Sequence, residues 1–64
     1  MAKYDIDVKL IGENGNVFNL MGIVVRHLKA HGVSKEEIEQ FKDECRQADY
    51  DHALRTMMDW VNVH

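Results

Sequence analysis

Residues 49–64 read DYDHALRTMMDWVNVH, and the spacing of the apolar side chains changes inside this stretch. Tyr50, Leu54, Met57, Met58 and Val61 recur at intervals of three and four, as the inner face of an amphipathic helix requires. Beyond Trp60 the run Val61, Asn62, Val63, His64 puts both valines on one face only if the chain is extended. So short a strand cannot stand alone and needs a partner. One other segment has the right pattern: from Tyr4 to Ile11 the residues Tyr4, Ile6, Val8 and Leu10 point one way, while Asp5, Asp7 and Lys9 point the other. The two ends of the chain are therefore expected to lie side by side.

Between them the spacing predicts three helices. GENGN (residues 12–16) reads as a turn, with Asn16 or Asn14 capping the first helix. From Val17 to His31 the apolar positions Val17, Phe18, Leu20, Met21, Val24, Val25 and Leu28 cover one broad arc. Gly22 interrupts that helix, which implies either close approach of another backbone or a tolerated defect, and Gly32 is placed as its C′ residue. Ser34 and Glu37 form a capping box for the second helix, with Val33 and Ile38 as its hydrophobic staple. Its inner stripe, Ile38, Phe41, Cys45 and Ala48, is narrow and suits a single neighbour. Asp49 or Asp51 caps the third helix, where Arg55 is spaced to pair with Asp51 and Asp59. The expected fold is α+β, β-α-α-α-β: three helices packed on a two-stranded sheet formed by the N- and C-terminal segments.

The 64 residues make one small globular domain, residues 1–64, and a chain this short buries only about 60% of the surface it exposes when unfolded. With 45% hydrophobic residues, 30% charged and no proline, the composition is that of a folded protein rather than a disordered one. A net charge of −3 argues against general nucleic-acid binding, which needs a clustered excess of Lys and Arg. Cys45 is the single cysteine, so there is neither a disulfide framework nor a CxxC zinc pattern, and a reducing cytoplasm fits best. No stretch approaches the roughly 18 apolar residues of a membrane span, and MAKYDIDVKL has acidic residues where a signal peptide has an apolar core. A soluble, unprocessed cytoplasmic protein without a cofactor is expected.

Candidate chemistry is sparse. His27 and His31 stand four apart on a helix, the spacing for two ligands of one metal ion, but a stable site needs three or four. The basic end Arg26, His27, Lys29 and His31 is accounted for by the helix dipole, and is the alternative ligand patch if the protein binds nucleic acid or metal. Asp5 with Asp7, and Asp49 with Asp51, are explained by strand alternation and by capping rather than by a divalent cation. Cys45 on an inner stripe lacks the histidine and orienting partner of a thiol nucleophile, so no enzyme is expected. The methionines read as adaptable core filling. The HGVS connection resembles a helix-turn-helix, yet the second helix bears Glu36, Glu37, Glu39, Asp43 and Glu44, which would repel phosphates.

What remains is interaction. A two-stranded sheet has open edges that invite another chain, although Asp5, Asp7 and Lys9 would serve equally to discourage such pairing. Ile23 and Trp60 fall off the main apolar stripes and would make a contact patch if they met on the surface. A small non-enzymatic interaction module, bound to another protein or to itself, is the expected function.

YDIDVKLIGENGNVF, GVSKEEIEQF and DYDHALRTMMDWVNVH together resemble a family of short, uncharacterised bacterial proteins, some associated with phages or mobile elements. The likeness covers nearly the whole chain and is most distinctive in the patterns GVSxEEIxxF and DYDxxLxxxMxWVxV. This chain has Gln47-Ala48 where the family pattern has a small residue and a glycine before DYD. The resemblance implies a stand-alone cytoplasmic protein and brings no activity, cofactor or catalytic residue.

Overall fold

The computed structural model describes residues 2–64, with Met1 outside the described residues. Its elements run β1 (Asp7–Val8), α1 (Val17–Ala30), α2 (Lys35–Cys45), α3 (Tyr50–Trp60) and β2 (Asn62–Val63). β1 and β2 pair in parallel, Asp7 opposite Asn62 and Val8 opposite Val63, so the two ends of the chain do form the sheet. Parallel strands need a long crossover, and here all three helices supply it. Pairing extends past the formal strands: Tyr4 N–H donates to the Trp60 carbonyl at 2.9 Å, Asn62 N–H to Ile6 at 2.9 Å, and His64 N–H to Val8 at 3.0 Å.

Local chemistry sets the element ends. Asn16 caps α1 by accepting from Phe18 N–H at 2.9 Å, and Gly32, at φ +80°, takes the left-handed turn that stops it. The turn after β1 is closed by Glu13 N–H to the Leu10 carbonyl at 3.1 Å, with Gly12 at φ +88° in the third position. Ser34 Oγ accepts from Glu37 N–H at 3.2 Å at the start of α2. The reciprocal half of the capping box is absent, because the Glu37 carboxylate is held by Lys3 at 3.0 Å instead. Asp49, not Asp51, caps α3 through His52 N–H at 3.0 Å. Arg46 and Gln47 close the end of α2 on the Lys42, Asp43 and Glu44 carbonyls without a left-handed residue, so Gln47-Ala48 makes this turn without a glycine.

One core joins these pieces. Phe41, Leu28, Met57, Val8, Val24 and Val61 are its largest fully buried side chains. α1 and α3 lie against β1 and β2 respectively, and α2 packs across both α1 and α3 rather than one neighbour. Its stripe of Ile38, Phe41 and Cys45 therefore enters a seam between two helices; Ala48 lies beyond the helix and is exposed.

The inner face of α3 is rotated from the expected one. Ala53, Thr56, Met57 and Trp60 are buried, Leu54 is at the margin, and Tyr50 and Met58 face solvent, Met58 at 52% exposure. Two stripes compete on this helix, and the one containing the largest side chain is buried. Thr56 joins it because its hydroxyl donates to the His52 carbonyl at 2.9 Å, which removes the penalty for a buried polar group. Arg55 takes no part in the ion pairs of the described residues, which are Lys3–Glu37, Lys42–Glu39 and Arg46–Asp43. Phe18, expected in the arc of α1, is exposed.

Candidate interaction surfaces

The sheet edge follows from the ladder. Along β1 and the extended chain flanking it, the residues whose amide groups turn toward β2 are Tyr4, Ile6, Val8 and Leu10; alternation turns the N–H and C=O of Asp5, Asp7 and Lys9 the other way. These three residues are exposed, and the register, with Asn62 N–H bonded to Ile6 and His64 N–H to Val8, leaves their backbone groups on the side away from β2. Their side chains share the polar outer face of the sheet, where Asn62 Nδ2 donates to Asp5 Oδ1 at 2.7 Å and to Asp7 Oδ1 at 3.2 Å. That amide spans two neighbouring carboxylates and offsets their repulsion, tying the outer faces of β1 and β2 together.

Ile23 and Trp60 do not form a surface patch. Ile23 is 6% exposed and Trp60 3%, both in the core. Helical projection from the other apolar residues of α1 places Ile23 at the margin, yet it is buried with the core cluster. Trp60 is held on every side: Phe41 meets it edge-on with ring centroids 5.4 Å apart, Tyr4 lies at 5.9 Å, and Lys3 Nζ stands 4.2 Å above its ring. Its indole N–H donates to Glu44 Oε1 at 3.0 Å. That hydrogen bond, opposed by partial burial and aided by Gln40, holds the Glu44 carboxyl below the ordinary value.

An apolar groove of about 280 Å³ opens where the start of α1, the end of α2 and the start of α3 converge. Val17, Met21, Ala48 and Ala53 line it, and Phe18, 70% exposed, and Tyr50 form its rim. Tyr50 is fixed there by its hydroxyl, which donates to the Gly15 carbonyl. Cys45 lies in the wall, and burial, with Glu44 alongside, pushes its thiol up to about 11. It stays protonated at neutral pH and is a poor nucleophile. The sequence pattern puts Phe18 and Tyr50 on the inner faces of their helices and so does not reveal this groove; the available signal is that each stands in the first turn of its helix, where little chain overlies it.

The basic end of α1 is divided. His27 and His31 each place Nδ1 2.9 Å from a carbonyl one turn back, on Ile23 and His27. Arg26 and His27 border a shallow depression with Ala30, whereas Lys29 faces α2. Among the described residues no three His, Cys, Asp or Glu side chains are grouped as metal ligands, and no helix is long and apolar enough to cross a membrane. No protein-family model, curated protein or solved structure matches the chain.

Proposed function

We propose that this protein is a small non-enzymatic interaction module that binds an extended segment of a protein partner along the free edge of β1. The observation that carries this reading is the row of outward-facing amides at Asp5, Asp7 and Lys9, three residues exposed to solvent beside a sheet of only two strands. Unpaired strand edges are templates for strand addition, in which backbone bonds give affinity and alternate side chains give selectivity. Asp5 and Asp7 on the outer face favour a partner strand that carries Lys or Arg at alternate positions, because opposite charges across strands attract. The protonated, buried thiol of Cys45 supports a role without thiol catalysis, and a lone free cysteine suits the reducing cytoplasm. Membership of the short bacterial and phage-associated family is part of the same proposal.

The probe is an extended peptide of alternating valine and lysine, added to isotope-labelled protein while amide exchange is followed by NMR. Saturable slowing at Asp5, Asp7 and Lys9 is the expected result. Asp7→Pro should abolish it and leave the fold intact, since this N–H is outside the ladder and proline is tolerated on the solvent side of an edge strand. Exchange that stays fast at millimolar peptide, in a protein that remains monomeric across a wide concentration range, would sink the reading.

A further inference from the structure

Sequence reading grouped Lys29 with its neighbours on α1, but the fold gives it other company. Where α1 ends and α2 begins, Lys29, Lys35 and Lys42 surround a cleft of about 300 Å³ whose floor is Val33 and the margin of Ile38. One carboxylate, Glu39, borders it and lies 3.9 Å from Lys42. Lys29 and Lys35 take no part in the ion pairs of the described residues. Both stand exposed beside an apolar floor in a chain of net charge −3. Two ammonium groups without an ion-pair partner among the described residues border one cleft and give it a local positive charge that an anion would neutralise. Glu36 and Glu37 follow Lys35 in the first turn of α2, but neither lines the cleft.

We infer that this cleft binds an acidic peptide segment that carries one apolar anchor. The floor accommodates a side chain of leucine size, and the aliphatic stems of the lysines extend the apolar wall around it. The ammonium groups then meet carboxylates flanking the anchor. Volume restricts the anchor to one or two side chains, which excludes a whole helix face. The site is independent of the β1 edge, which uses other residues and favours partners of the opposite charge.

The test uses the full chain and three capped hexapeptides: Asp-Asp-Leu-Leu-Glu-Asp, the same peptide with serines for the leucines, and the same peptide with Asn and Gln for the acids. Binding of the first should shift the amides of Lys29, Val33, Lys35, Ile38 and Lys42, while each control binds about tenfold more weakly or worse, and added salt weakens the interaction. Lys29→Glu combined with Lys35→Glu should reduce affinity by about tenfold or more with an unchanged circular dichroism spectrum, as both side chains are exposed. The inference fails if the first peptide does not bind at millimolar concentration, if the double variant binds it equally well, or if the shifts fall on Asp5, Asp7 and Lys9. Saturation by octanoate without peptide binding would give the cleft to a free amphipathic carboxylate. Shifts there that grow with protein concentration alone would give it to a second copy. Either outcome overturns the peptide assignment.

Discussion

Trp60 and Phe18 are both large aromatic residues near a helix terminus, yet Trp60 is 3% exposed and Phe18 70%. The surroundings of Trp60 are assembled from distant parts of the chain: Lys3 and Tyr4 from the amino end, Phe41 and Glu44 from α2, and a backbone bond from Tyr4 N–H to its own carbonyl. The surroundings of Phe18 come from three helix ends that meet without closing over it. Position on a helical projection does not decide burial in so small a protein. What decides it is whether a remote segment arrives to cover the residue, and here the paired termini cover one end and leave the other open.

Removing the covered ring should have the largest effect. Trp60→Ala is expected to cost about 3–5 kcal/mol, because it opens a cavity among Tyr4, Phe41 and Lys3 and frees the Glu44 hydrogen bond. For a domain with a total stability of roughly 5 kcal/mol that amounts to near-complete unfolding. Urea titration followed by far-ultraviolet dichroism measures it, and a loss no greater than that of Phe18→Ala would erase the contrast.

The same contrast explains which features were legible in the sequence. Period-two alternation from Tyr4 to Leu10 and in Val61–Val63 was sufficient to pair the termini, since a short strand must find a partner and the chain offers one. Asn16, Ser34, Asp49 and Gly32 act locally, within three residues, and so were readable as caps. Trp60 was misplaced because its cover comes from the amino end of the chain and from α2, which the periodicity of its own helix cannot see, and Ile23 because it is buried at the margin of the α1 stripe. Ala53 and Thr56 were missed on α3 because a small residue and a hydroxyl carry little apolar signal, even though 53, 57 and 60 have the spacing of an inner stripe. The outward amides of β1 were half legible: alternation separated Asp5, Asp7 and Lys9 from the core, but only the parallel register shows that their backbone groups face away from β2. The cleft at Lys29 was not legible, for it joins residues on two helices.

Lys3 sharpens the covered half of the comparison at a smaller scale. Its ammonium rests over Trp60 and pairs with Glu37, but it is partly in water, so Lys3→Gln should cost only about 1 kcal/mol. A double-mutant cycle with Glu37→Gln separates the ion pair from the ring contact. A coupling near zero would leave the indole as the main partner of Lys3.

Gly22 lies one turn beyond Phe18 on the exposed face of α1, and an added Cβ there would meet nothing within 4 Å. Gly22→Ala should therefore stabilise the protein by about 0.5–1 kcal/mol through helix propensity. A destabilising result would mean that another backbone approaches this face in solution and that the open half is covered after all.

Glu44 gives a pH dependence whose sign is fixed. Its carboxyl is held below the ordinary value by the Trp60 N–H, so folding favours the charged form. The stabilisation is fully present above the ordinary carboxylate range and is lost as pH falls through the lower value of the folded state. Because the group is well solvated, the effect on the stability measured by urea titration should be about a few tenths of a kcal/mol. Glu44→Gln should be less stable than the natural chain near neutrality and converge with it in acid; a constant difference at all pH values would assign the loss to packing.

Phe18→Ser should change stability least, by less than about 0.5 kcal/mol, because an exposed ring exchanges little apolar surface on folding. Its effect is expected in another observable, since an exposed aromatic at the rim of an apolar groove promotes contact between molecules, and the serine variant should be the more soluble. If instead Phe18→Ser costs 2 kcal/mol or more, and the cost grows with protein concentration, the ring is covered by a second copy in solution. A concentration-independent cost would mean that the groove closes over Phe18 within the single chain.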